Sequence, residues 1–288
     1  MTEAYNNKKT IDTLVEDIYS LFDESNDVQI DDKAIDAFLE GVRASVISSL
    51  TRKRSAPYLR LSMVGQPDRK IWYELNGAPK EPLTKPTHIK FLYGDILEHL
   101  LVLLSKLSGH DVTEQQDELS VEGVVGHQDA VVDGTLVDFK SASPHSFKKF
   151  KDGSLSMDDP FGYIAQISSY AFAGKHDRAG FVAIDKVSGE IHFHEVHKRE
   201  RIDPSKRIVD LKRIVDIPVP PKHCHDPVPD GKSGNMKIAT ACSFCDFKKH
   251  CWSSSNNGAG LRAFKYSNGV RYLTSVASTP DVEEVFET

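Results

Sequence analysis

The sequence predicts an α/β (α+β) fold, because a β-hairpin near the middle of the chain is flanked on both sides by apolar helices. The dipeptide Asp133-Gly134, between alternating strands, is the strongest short-range signal for a two-residue hairpin turn. Residues 87–107 ahead of it are predicted to form a helix that Gly109 terminates, and the stretch from Ile89 to Leu107 is apolar almost all round, which predicts that the helix is buried. The elements predicted after the hairpin are a helix at residues 163–172 and strands at residues 181–185 and 191–196.

The other predicted elements lie toward the two ends of the chain. Apolar residues at helical spacing predict two amphipathic helices in the first fifty residues, and Pro67 suits the first position of a short helix. Near the C-terminus, Asn268-Gly269 predicts a second hairpin turn. The four predicted regions are an N-terminal helical region at 1–55, a core at 56–220, a cysteine-rich module packed on the core at 221–255, and a C-terminal hairpin and tail at 256–288.

Composition and charge argue against several classes of protein. The chain has 288 residues, of which 39% are hydrophobic and 27% charged, and it contains no apolar run long enough to span a membrane. Its N-terminus lacks the apolar stretch of a secretory signal, so we expect a cytoplasmic protein with no membrane partner. The net charge of −6 disfavours a protein that coats nucleic acid non-specifically, but Thr51–Arg54 and Lys148–Lys151 are candidates for a local basic groove.

The predicted central hairpin brings two carboxylates and a lysine to one place. With Asp133-Gly134 as the loop, Asp129 lies directly opposite Asp138, in a pair whose Cβ atoms are roughly 4.5–5.5 Å apart. Lys140 points to the same face, because strand side chains alternate with period two. Like charges at that separation repel unless a cation lies between them, so the arrangement predicts a site for a divalent metal ion.

Two helices are predicted to add side chains to this site. Glu98 lies on the apolar helix, where a buried carboxylate must be neutral, paired or metal-bound, and it is a third candidate ligand. Gly94, one helical turn earlier, leaves backbone room for a substrate. Gln166 and Tyr170, at i and i+4, share one face of the helix that follows the hairpin. His99 adjoins Glu98, so which of the two faces the metal stays open, although the spacing to Gly94 favours Glu98.

Together these residues resemble the motifs of the RecB-like branch of the PD-(D/E)xK nuclease superfamily, over about residues 58–252. The corresponding segments, in family order, are Gly94-x-x-x-Glu98, Gly126-x-x-Asp129, Asp138-Phe139-Lys140 and Gln166-x-x-x-Tyr170. The chain departs from the family at Gln128, where many members have Ile or Pro, and at Glu98, where His is frequent. Because an isolated Asp-x-Lys arises by accident on exposed strands, the order and spacing of the motifs carry the resemblance.

The resemblance implies a restriction-endonuclease-like core, with a central mixed β-sheet flanked by helices, and a metal-dependent active site. The implied ligands of one or two Mg²⁺ or Mn²⁺ ions are Glu98, Asp129, Asp138 and the backbone carbonyl of Phe139. Lys140 would orient the attacking water or help to remove its proton. Gln166 and Tyr170 correspond to residues that in the family contact DNA and support the active site.

The activity implied by the resemblance is hydrolysis of DNA phosphodiester bonds to leave 5′-phosphate ends. We expect an exonuclease of phage or bacterial DNA recombination, repair or degradation, acting in the cytoplasm on single- or double-stranded ends, with a helicase or a single-strand annealing protein as a candidate partner. One alternative is a structure-specific or nicking endonuclease of the same superfamily. Another is a catalytically silent DNA-binding or scaffold protein, which the intact set of Glu98, Asp129, Asp138 and Lys140 disfavours.

All four cysteines of the chain, Cys224, Cys242, Cys245 and Cys251, fall within 28 residues. The Cys242-x-x-Cys245 spacing lets two thiolates reach one ion, with Cys251 six residues on and Cys224 reaching back. Disulfides are the competing interpretation, which the expected intracellular location disfavours. Four thiolates suit either tetrahedral Zn²⁺ or a [4Fe–4S] cluster.

The last three cysteines resemble, in their spacing, the C-terminal triplet of iron–sulfur RecB-like nucleases, which favours a [4Fe–4S] cluster. In those proteins the fourth cysteine precedes the nuclease motifs, whereas Gly65–Arg69 contains none, so Cys224 would have to substitute for it. Zn²⁺ stays open as the alternative, because His223, His225 and His250 offer nitrogen ligands. Either centre would be structural and would hold the C-terminal segment against the core.

Overall fold

The computed structural model describes residues 9–51 and 56–286. Its α-helices are α1 (Leu14–Ser20), α2 (Asp32–Thr51), α3 (Asp68–Leu75), α4 (Lys85–Leu107), α5 (Pro144–Lys151), α6 (Tyr163–Ala173), α7 (Pro204–Val215), α8 (Thr240–Ser243), α9 (Lys248–Cys251) and α10 (Ser255–Gly258). Its strands are β1 (Val112–Thr113), β2 (Glu118–Val121), β3 (Val124–His127), β4 (Ala130–Val132), β5 (Thr135–Ala142), β6 (Ala179–Asp185), β7 (Ile191–Glu195), β8 (Val228–Pro229), β9 (Met236–Lys237), β10 (Arg262–Tyr266) and β11 (Gly269–Ser275). Within the described ranges, no helix is both long and apolar enough to cross a membrane.

The chain divides into two compact units, each built from two separate stretches of sequence. The first unit comprises Met1–Gly65 and Thr84–Val209, and the second comprises Gln66–Leu83 and Asp210–Thr288. The second unit thus combines the stretch just ahead of α4 with the C-terminal part of the chain. Whether the four predicted regions fold as separate pieces stays a prediction.

The first unit contains a mixed five-stranded sheet in the order β1-β4-β5-β6-β7. β5 and β6 run parallel, whereas the pairs β1/β4, β4/β5 and β6/β7 are antiparallel. The parallel pair is joined through α5 and α6, since parallel neighbours need a crossover of this length. Helices pack on both faces of the sheet, so the predicted α/β class, with a central mixed sheet flanked by helices, is confirmed.

Side-chain alternation along β5 directs its residues to two separate hydrophobic clusters. Val137 and Phe139 pack on the face that α1 and α4 cover, whereas Leu136 packs on the opposite face with α5, α6 and α7. Each fully buried Val, Leu or Phe side chain contributes about 1.5–3 kcal/mol to folding. Asp138 and Lys140 have the same parity as Leu136, so the register of this apolar packing directs both charged side chains to the face of α6.

The central hairpin forms in the predicted register. Val132 pairs with Thr135, so Asp133 and Gly134 are the two loop residues. Both have positive φ angles, 48° and 78°, as a type I′ turn requires. The Asp133 carboxylate also hydrogen-bonds to Nδ1 of the buried His110 at 2.6 Å, so this turn is held by a side chain as well as by its backbone.

α4 is more exposed than the apolar pattern predicts. Only its C-terminal half contributes to the cluster on the sheet, through Leu97 and Leu101. In its N-terminal half Ile89 is 69% exposed and Phe91 is 53% exposed. The prediction of a helix buried throughout is therefore wrong for the first half, because apolar spacing does not report how much of a helix the sheet can cover.

Two helices, α5 and α7, lie outside the sequence predictions. Both begin with a proline, Pro144 and Pro204, the residue whose fixed φ suits the first helical position. Ahead of Pro144, the Ser143 hydroxyl accepts a hydrogen bond from the backbone N–H of Ser146 at 3.3 Å and caps α5. These start signals are present in the sequence, but charged residues obscure the apolar spacing that follows them.

The second unit contains a small antiparallel sheet in the order β10-β11-β9-β8. Phe264 of β10 and Leu273 of β11 are fully buried. The predicted C-terminal hairpin is present, but Tyr266 pairs with Gly269, so the loop consists of Ser267-Asn268. The predicted Asn268-Gly269 turn is therefore wrong by one residue, because Gly269 continues the strand instead of closing the loop.

Candidate active site

Asp129 and Asp138 lie across the hairpin from each other, one just ahead of β4 and the other within β5. The neighbouring pair is Ala130 with Val137, so the register places both carboxylates at one level of the sheet. Asp138 is 1% exposed, and Asp129 is partly exposed. Asp129 Oδ2 accepts a hydrogen bond from the backbone N–H of Phe139 at 2.8 Å, which fixes this carboxylate against β5.

Lys140 forms an ion pair with Asp138 on the same face of β5. Its ammonium contacts Asp138 Oδ2 and lies 5.1 Å from the ring centroid of Tyr163, at the start of α6. The Lys140 side chain is 19% exposed, whereas that of Asp138 is 2% exposed. The ion pair therefore meets solvent through the lysine, and a substrate group can approach the ammonium from that side.

α4 directs Glu98, and not His99, toward this site. Glu98 Oε1 accepts a hydrogen bond from Gln116 Nε2 at 3.3 Å. Its carboxyl group is also close enough to Asp138 to be affected by the charge of that residue. His99 points toward α2, where its Nε2 lies 3.0 Å from Ser45 Oγ. A Cβ on Gly41 would come within 2.8 Å of the His99 ring, so the imidazole is packed tightly between the two helices. Of the two neighbours, the geometry favours Glu98 as a metal ligand.

α6 presents Gln166 and Tyr170 toward the hairpin, as their i and i+4 spacing predicts. Gln166 Nε2 donates a hydrogen bond to Asp138 Oδ1 at 3.0 Å. Tyr170 is 3% exposed and hydrogen-bonds with Gln166. A Cβ on Gly126 would lie 3.0 Å from the Tyr170 ring, so the tyrosine packs directly on the backbone of β3. This close approach explains the glycine three residues before Asp129.

Glu98, Asp129 and Asp138 place three carboxyl groups around Lys140, and we call these four residues the acid cluster. Burial, reinforced by the charge of Asp138, raises the pKa of Glu98 to about 7. Burial also raises the pKa of Asp129 well above its usual range, and the charges of Asp138 and Glu98 raise it further. Burial alone would lower the pKa of Lys140, but the carboxylates of Asp138 and Asp129 outweigh burial and raise it. The acid cluster thus contains three carboxyl groups, and the single positive charge of Lys140 can neutralise only one of them.

Carboxyl groups with raised pKa values suit a divalent cation, because a nearby cation favours their charged form. Their oxygens, and the carbonyl of Phe139 beside Asp138, are the hard ligands that Mg²⁺ and Mn²⁺ prefer. Among the described residues, no three His, Cys, Asp or Glu side chains converge to metal-binding distance. In the arrangement observed, the Lys140 ammonium neutralises Asp138. The donor chemistry therefore fits a metal ion, whereas a closed coordination shell is not formed.

Tyr163 belongs to the site although none of the motifs indicates it. Its ring lies beneath the Lys140 ammonium, and burial raises the pKa of its hydroxyl. The residue lies three positions before Gln166, so helical spacing places both on the same face of α6. That spacing is the sequence signal that would have revealed it.

The two predicted basic stretches have different outcomes. The stretch Lys148–Lys151 forms the second half of α5, where Lys149 pairs with Asp158 and Lys151 pairs with Glu190. Arg52–Arg54, from the other stretch, lies outside the described residues. A basic groove at these positions therefore stays a prediction.

The four cysteines lie in the second unit, and we call Cys224, Cys242, Cys245 and Cys251 the cysteine cluster. All four are free thiols. Burial raises the pKa of Cys242 to about 12, and the other three thiols add to the effect. Burial likewise raises the pKa of Cys224 and of Cys245. The thiols are close enough to influence one another, but in the part of the chain that is described no three of them enclose a metal position.

The stretch ahead of α4 contributes to the cysteine cluster although it contains no cysteine. Arg69 Nε donates a hydrogen bond to Cys251 Sγ at 3.2 Å. The backbone N–H of Lys70 interacts with the thiol of Cys224. The Lys70 contact favours the charged thiolate of Cys224, which is the form that binds metals.

The three histidines near the cysteine cluster have different surroundings. His223 stacks on Trp252, with ring centroids 4.0 Å apart, and His250 packs edge-on against Tyr73 at 5.0 Å. His225 is exposed. Aromatic contacts account for the positions of the first two rings, so these histidines have a packing role without a metal.

No protein-family model matches the sequence, and no curated protein matches it. Solved structures similar to this chain include two exonucleases. A phage-related exonuclease from Haemophilus somnus 129PT is 17% identical with a TM-score of 0.41, over 56% of this chain and 95% of that chain. An alkaline exonuclease from Laribacter hongkongensis is 16% identical with a TM-score of 0.34, over 63% of this chain and 88% of that chain. The protein SSO0001 is 16% identical with a TM-score of 0.39, over 73% of this chain and 93% of that chain. Similarity at this level carries no conclusion about activity.

Proposed function

We propose that this chain is a metal-dependent DNA nuclease of the RecB-like PD-(D/E)xK type. The observation that carries the proposal is the acid cluster, in which carboxyl groups from α4, from β5 and from the residue just ahead of β4 surround a partly exposed lysine. Grouping these charges away from bulk water costs stability, and no packing need explains it. The order and spacing of the sequence motifs support the same class of enzyme.

The acid cluster supplies the ligands that phosphodiester hydrolysis needs. Those ligands would be the carboxylates of Glu98, Asp129 and Asp138 and the carbonyl of Phe139. When bound there, Mg²⁺ or Mn²⁺ would lower the pKa of a water molecule and stabilise negative charge on the phosphate. Gln166 holds Asp138 through its second oxygen, which keeps the carboxylate in a fixed orientation.

Lys140 would act as a fixed cation rather than as a base. The carboxylates beside it raise its pKa, so it stays protonated at neutral pH. Its ammonium is held between Asp138 and the ring of Tyr163, and its exposed side would contact the scissile phosphate and orient the attacking water. Preorganised positive charge of this kind stabilises a transition state in which charge develops on phosphate oxygens.

Within this class we propose an exonuclease of phage or bacterial recombination, repair or degradation, which acts on single- or double-stranded DNA ends and leaves 5′-phosphates. This narrower assignment rests on the resemblance of the motifs. Its partner would be a helicase or a single-strand annealing protein. It would act in the cytoplasm, which would be that of the host cell if the chain is viral.

The proposal is tested by incubating the full chain with end-labelled linear and covalently closed circular DNA, single- and double-stranded, and with RNA, in Mg²⁺ or Mn²⁺. We expect linear DNA to be degraded from its ends to 5′-phosphorylated products and closed circles to resist. Cutting of closed circles would identify the endonuclease instead. Absence of cleavage on every substrate would favour the catalytically silent DNA-binding protein.

The assignment of residues is tested with Asp138→Ala and Lys140→Ala. Removal of either is expected to lower kcat by at least about 100-fold, the loss typical of one preorganised group that stabilises charge. Lys198→Ala is the matched control, because that lysine forms an ion pair with Asp177 on the surface of the same unit. Cleavage at the wild-type rate by both variants, with folding confirmed by circular dichroism, would refute the site.

We further propose that the cysteine cluster holds a structural [4Fe–4S] centre, with Zn²⁺ as the alternative. Support comes from four thiols within one unit, three of them half-buried, from the hydrogen bond that Arg69 donates to Cys251, and from the backbone N–H of Lys70, which favours the thiolate of Cys224. The test is to purify the protein anaerobically and to measure its absorbance and iron content. Absorbance at about 400 nm and four iron atoms per chain, the number in one such centre, would support the cluster. A colourless protein with one zinc per chain would assign zinc.

A further inference from the structure

We propose that Phe161 and Tyr163 form a stacking platform for an unpaired nucleobase of the DNA strand whose phosphate lies at Lys140. This inference rests on the proposed function and adds a substrate-binding subsite to it. The rings of Phe161 and Tyr163 are stacked, with centroids 5.5 Å apart and planes inclined by 29°. Tyr163 stacks in turn on the buried Phe150 at 6.2 Å, whereas Phe161 is 47% exposed. The row of rings thus runs from the core to solvent.

The platform begins at the acid cluster. Lys140 Nζ lies 5.1 Å from the Tyr163 centroid. The Phe161 centroid is therefore no more than 10.6 Å from that ammonium, because the separations of 5.1 Å and 5.5 Å meet at Tyr163. At the roughly 3.4 Å rise per nucleotide of a stacked strand, Phe161 lies within about three nucleotides of a phosphate bound at Lys140.

Phe161 is held in place although its ring is exposed. The next residue, Gly162, has a φ of 77°, and a Cβ there would come within 2.4 Å of the backbone of Gly65. On the other side of Phe161, Asp159 accepts a hydrogen bond from the backbone N–H of Tyr163 at 3.0 Å and anchors the start of α6. Because the backbone beside Phe161 is fixed at these two points, only the freedom of the side chain itself is lost when a ligand stacks on the ring.

The chemistry of the platform selects an unpaired base. An aromatic ring stacks on any base, and proteins that bind single strands combine such rings with a cation that contacts the backbone. Lys140 is that cation here. The nearby carboxylate of Asp158 is paired with Lys149, which reduces its repulsion of a phosphate. A base inside a duplex has both faces covered by its neighbours, so the platform fits a frayed or single-stranded end.

The first test measures stacking without cleavage. The full chain, in EDTA, is mixed with single-stranded oligonucleotides that carry 2-aminopurine at each of the first four positions from either end. We expect quenching of the fluorescence at one or two positions, its loss in Phe161→Ala and its retention in Phe161→Trp. Phe172→Ala is the matched control, because Phe172 is also exposed, at 54%, but lies about 200° around α6 from Tyr170. Equal quenching by wild type and Phe161→Ala, or none by wild type, overturns the platform.

The second test measures cleavage of the same oligonucleotides in Mg²⁺. Phe161→Ala is expected to raise KM by about 5- to 150-fold, the range for loss of one stacked base, with kcat largely kept. An abasic nucleotide at the quenched position should cause the same rise for wild type and none for Phe161→Ala. Unchanged KM in Phe161→Ala overturns the platform and leaves the nuclease standing. Quenching by a wild type that cleaves nothing supports the platform and refutes the nuclease.

Discussion

The acid cluster and the cysteine cluster are both groups of like ionisable side chains, but the chain supports them differently. The acid cluster lies on a five-stranded sheet and a 23-residue helix, whose hydrogen bonds and apolar packing exist without it. The cysteine cluster lies on short elements, since the helices α8 and α9, which carry Cys242 and Cys251, have four residues each. Helices this short are not stable alone, so we expect the cysteine cluster to depend on a bound metal, whereas the sheet and helix that carry the acid cluster are stabilised by their own packing.

The largest effect is expected from Cys245→Ser, which tests whether the second unit depends on a metal centre. A structural metal contributes about 10–16 kcal/mol in small metal-folded peptides, so its loss should unfold the second unit while the first unit stays folded. Hydrogen exchange would show lost protection in β10 and β11 and retained protection in β5 and β6. Ser243→Ala, between two of the cysteines, is the control. A change below about 2 kcal/mol, within the range of an ordinary point mutation, would mean that the cysteines are ordinary thiols that hold no structural metal.

The next largest effect concerns Asp230, a carboxylate of the second unit whose charge is balanced. Its side chain is 4% exposed and contacts Lys237 Nζ at 3.1 Å and Arg271 Nη1 at 3.0 Å. Burial alone would raise its pKa, but these two cations outweigh burial and lower it below the usual 3.8. Asp230→Asn should therefore lower the free energy of unfolding by about 3–5 kcal/mol.

The pH dependence of that effect follows from the lowered pKa. The stability that Asp230 contributes is present above the pKa of the unfolded chain, near 3.8, and is lost as the pH falls through the lower value of the folded state. Urea unfolding at pH 7 and at pH 3 should give a smaller difference between wild type and Asp230→Asn at pH 3. The exposed Asp226 supplies the control variant Asp226→Asn, and an equal difference at both pH values would contradict the ion-pair explanation.

Substitutions at two glycines of the first unit, Gly126 and Gly94, are expected to have different effects, one on stability and the other on activity. A Cβ on Gly126 would meet Leu61 Cβ at 2.8 Å and the Tyr170 ring at 3.0 Å, so Gly126→Ala should destabilise the protein by about 1–3 kcal/mol. A Cβ on Gly94, within α4, would approach only Ser141 Oγ, at 3.2 Å. Gly94→Ala should therefore raise stability by up to about 1 kcal/mol and, if the substrate passes this backbone, lower activity. Thermal unfolding and cleavage rates of both variants check this contrast, and a stable Gly126→Ala would contradict it.

The smallest effect is expected from Glu98→Gln, which measures the repulsion within the acid cluster. Burial and Asp138 raise the pKa of Glu98 to about 7 from 4.5, so the folded state binds more protons than the unfolded state between those values. The stability of the wild type should therefore fall as the pH rises from 4.5 to about 7 and then level off. At pH 8 the variant should be more stable by about 1–2 kcal/mol, after discounting for the partial exposure of the carboxyl.

A metal titration sharpens this last comparison. Mg²⁺ at pH 8 should raise the melting temperature of the wild type more than that of Glu98→Gln, because the charged carboxylate is the ligand. Gln116→Ala is the control, since it removes the neighbour that donates to Glu98 without altering the charge. Equal shifts in wild type and Glu98→Gln would remove Glu98 from the proposed set of ligands.

The parts of the site that follow from local rules were predictable. A two-residue turn sets the register of its own hairpin, so Asp133-Gly134 alone predicts that Asp129 faces Asp138 and that Lys140 shares their side. In the same way, the i and i+4 spacing predicts that Gln166 and Tyr170 point together. These predictions succeed because the atoms involved are close in sequence.

The parts that depend on distant contacts were not predictable. Tyr163 reaches Lys140 only because α6 packs across β5, and the exposure of Ile89 depends on where the sheet ends. His99 points away from the hairpin because its imidazole contacts Ser45 of α2, which leaves Glu98 as the residue that faces the hairpin. The periodicity of the sequence cannot predict these outcomes, because each depends on which segments, far apart in the chain, pack against one another.

By itself, the sequence determined the class of fold, the turn that aligns the central hairpin and the order of the motifs, because hydrogen-bonding geometry and side-chain periodicity act over a few residues. Only the tertiary structure decided which face of α4 meets the hairpin, that an aromatic row leads from Lys140 to solvent, and that residues 66–83 join the C-terminal unit. Those outcomes depend on the burial of apolar surface between distant elements, a free energy that belongs to the whole arrangement and to no single stretch of the chain.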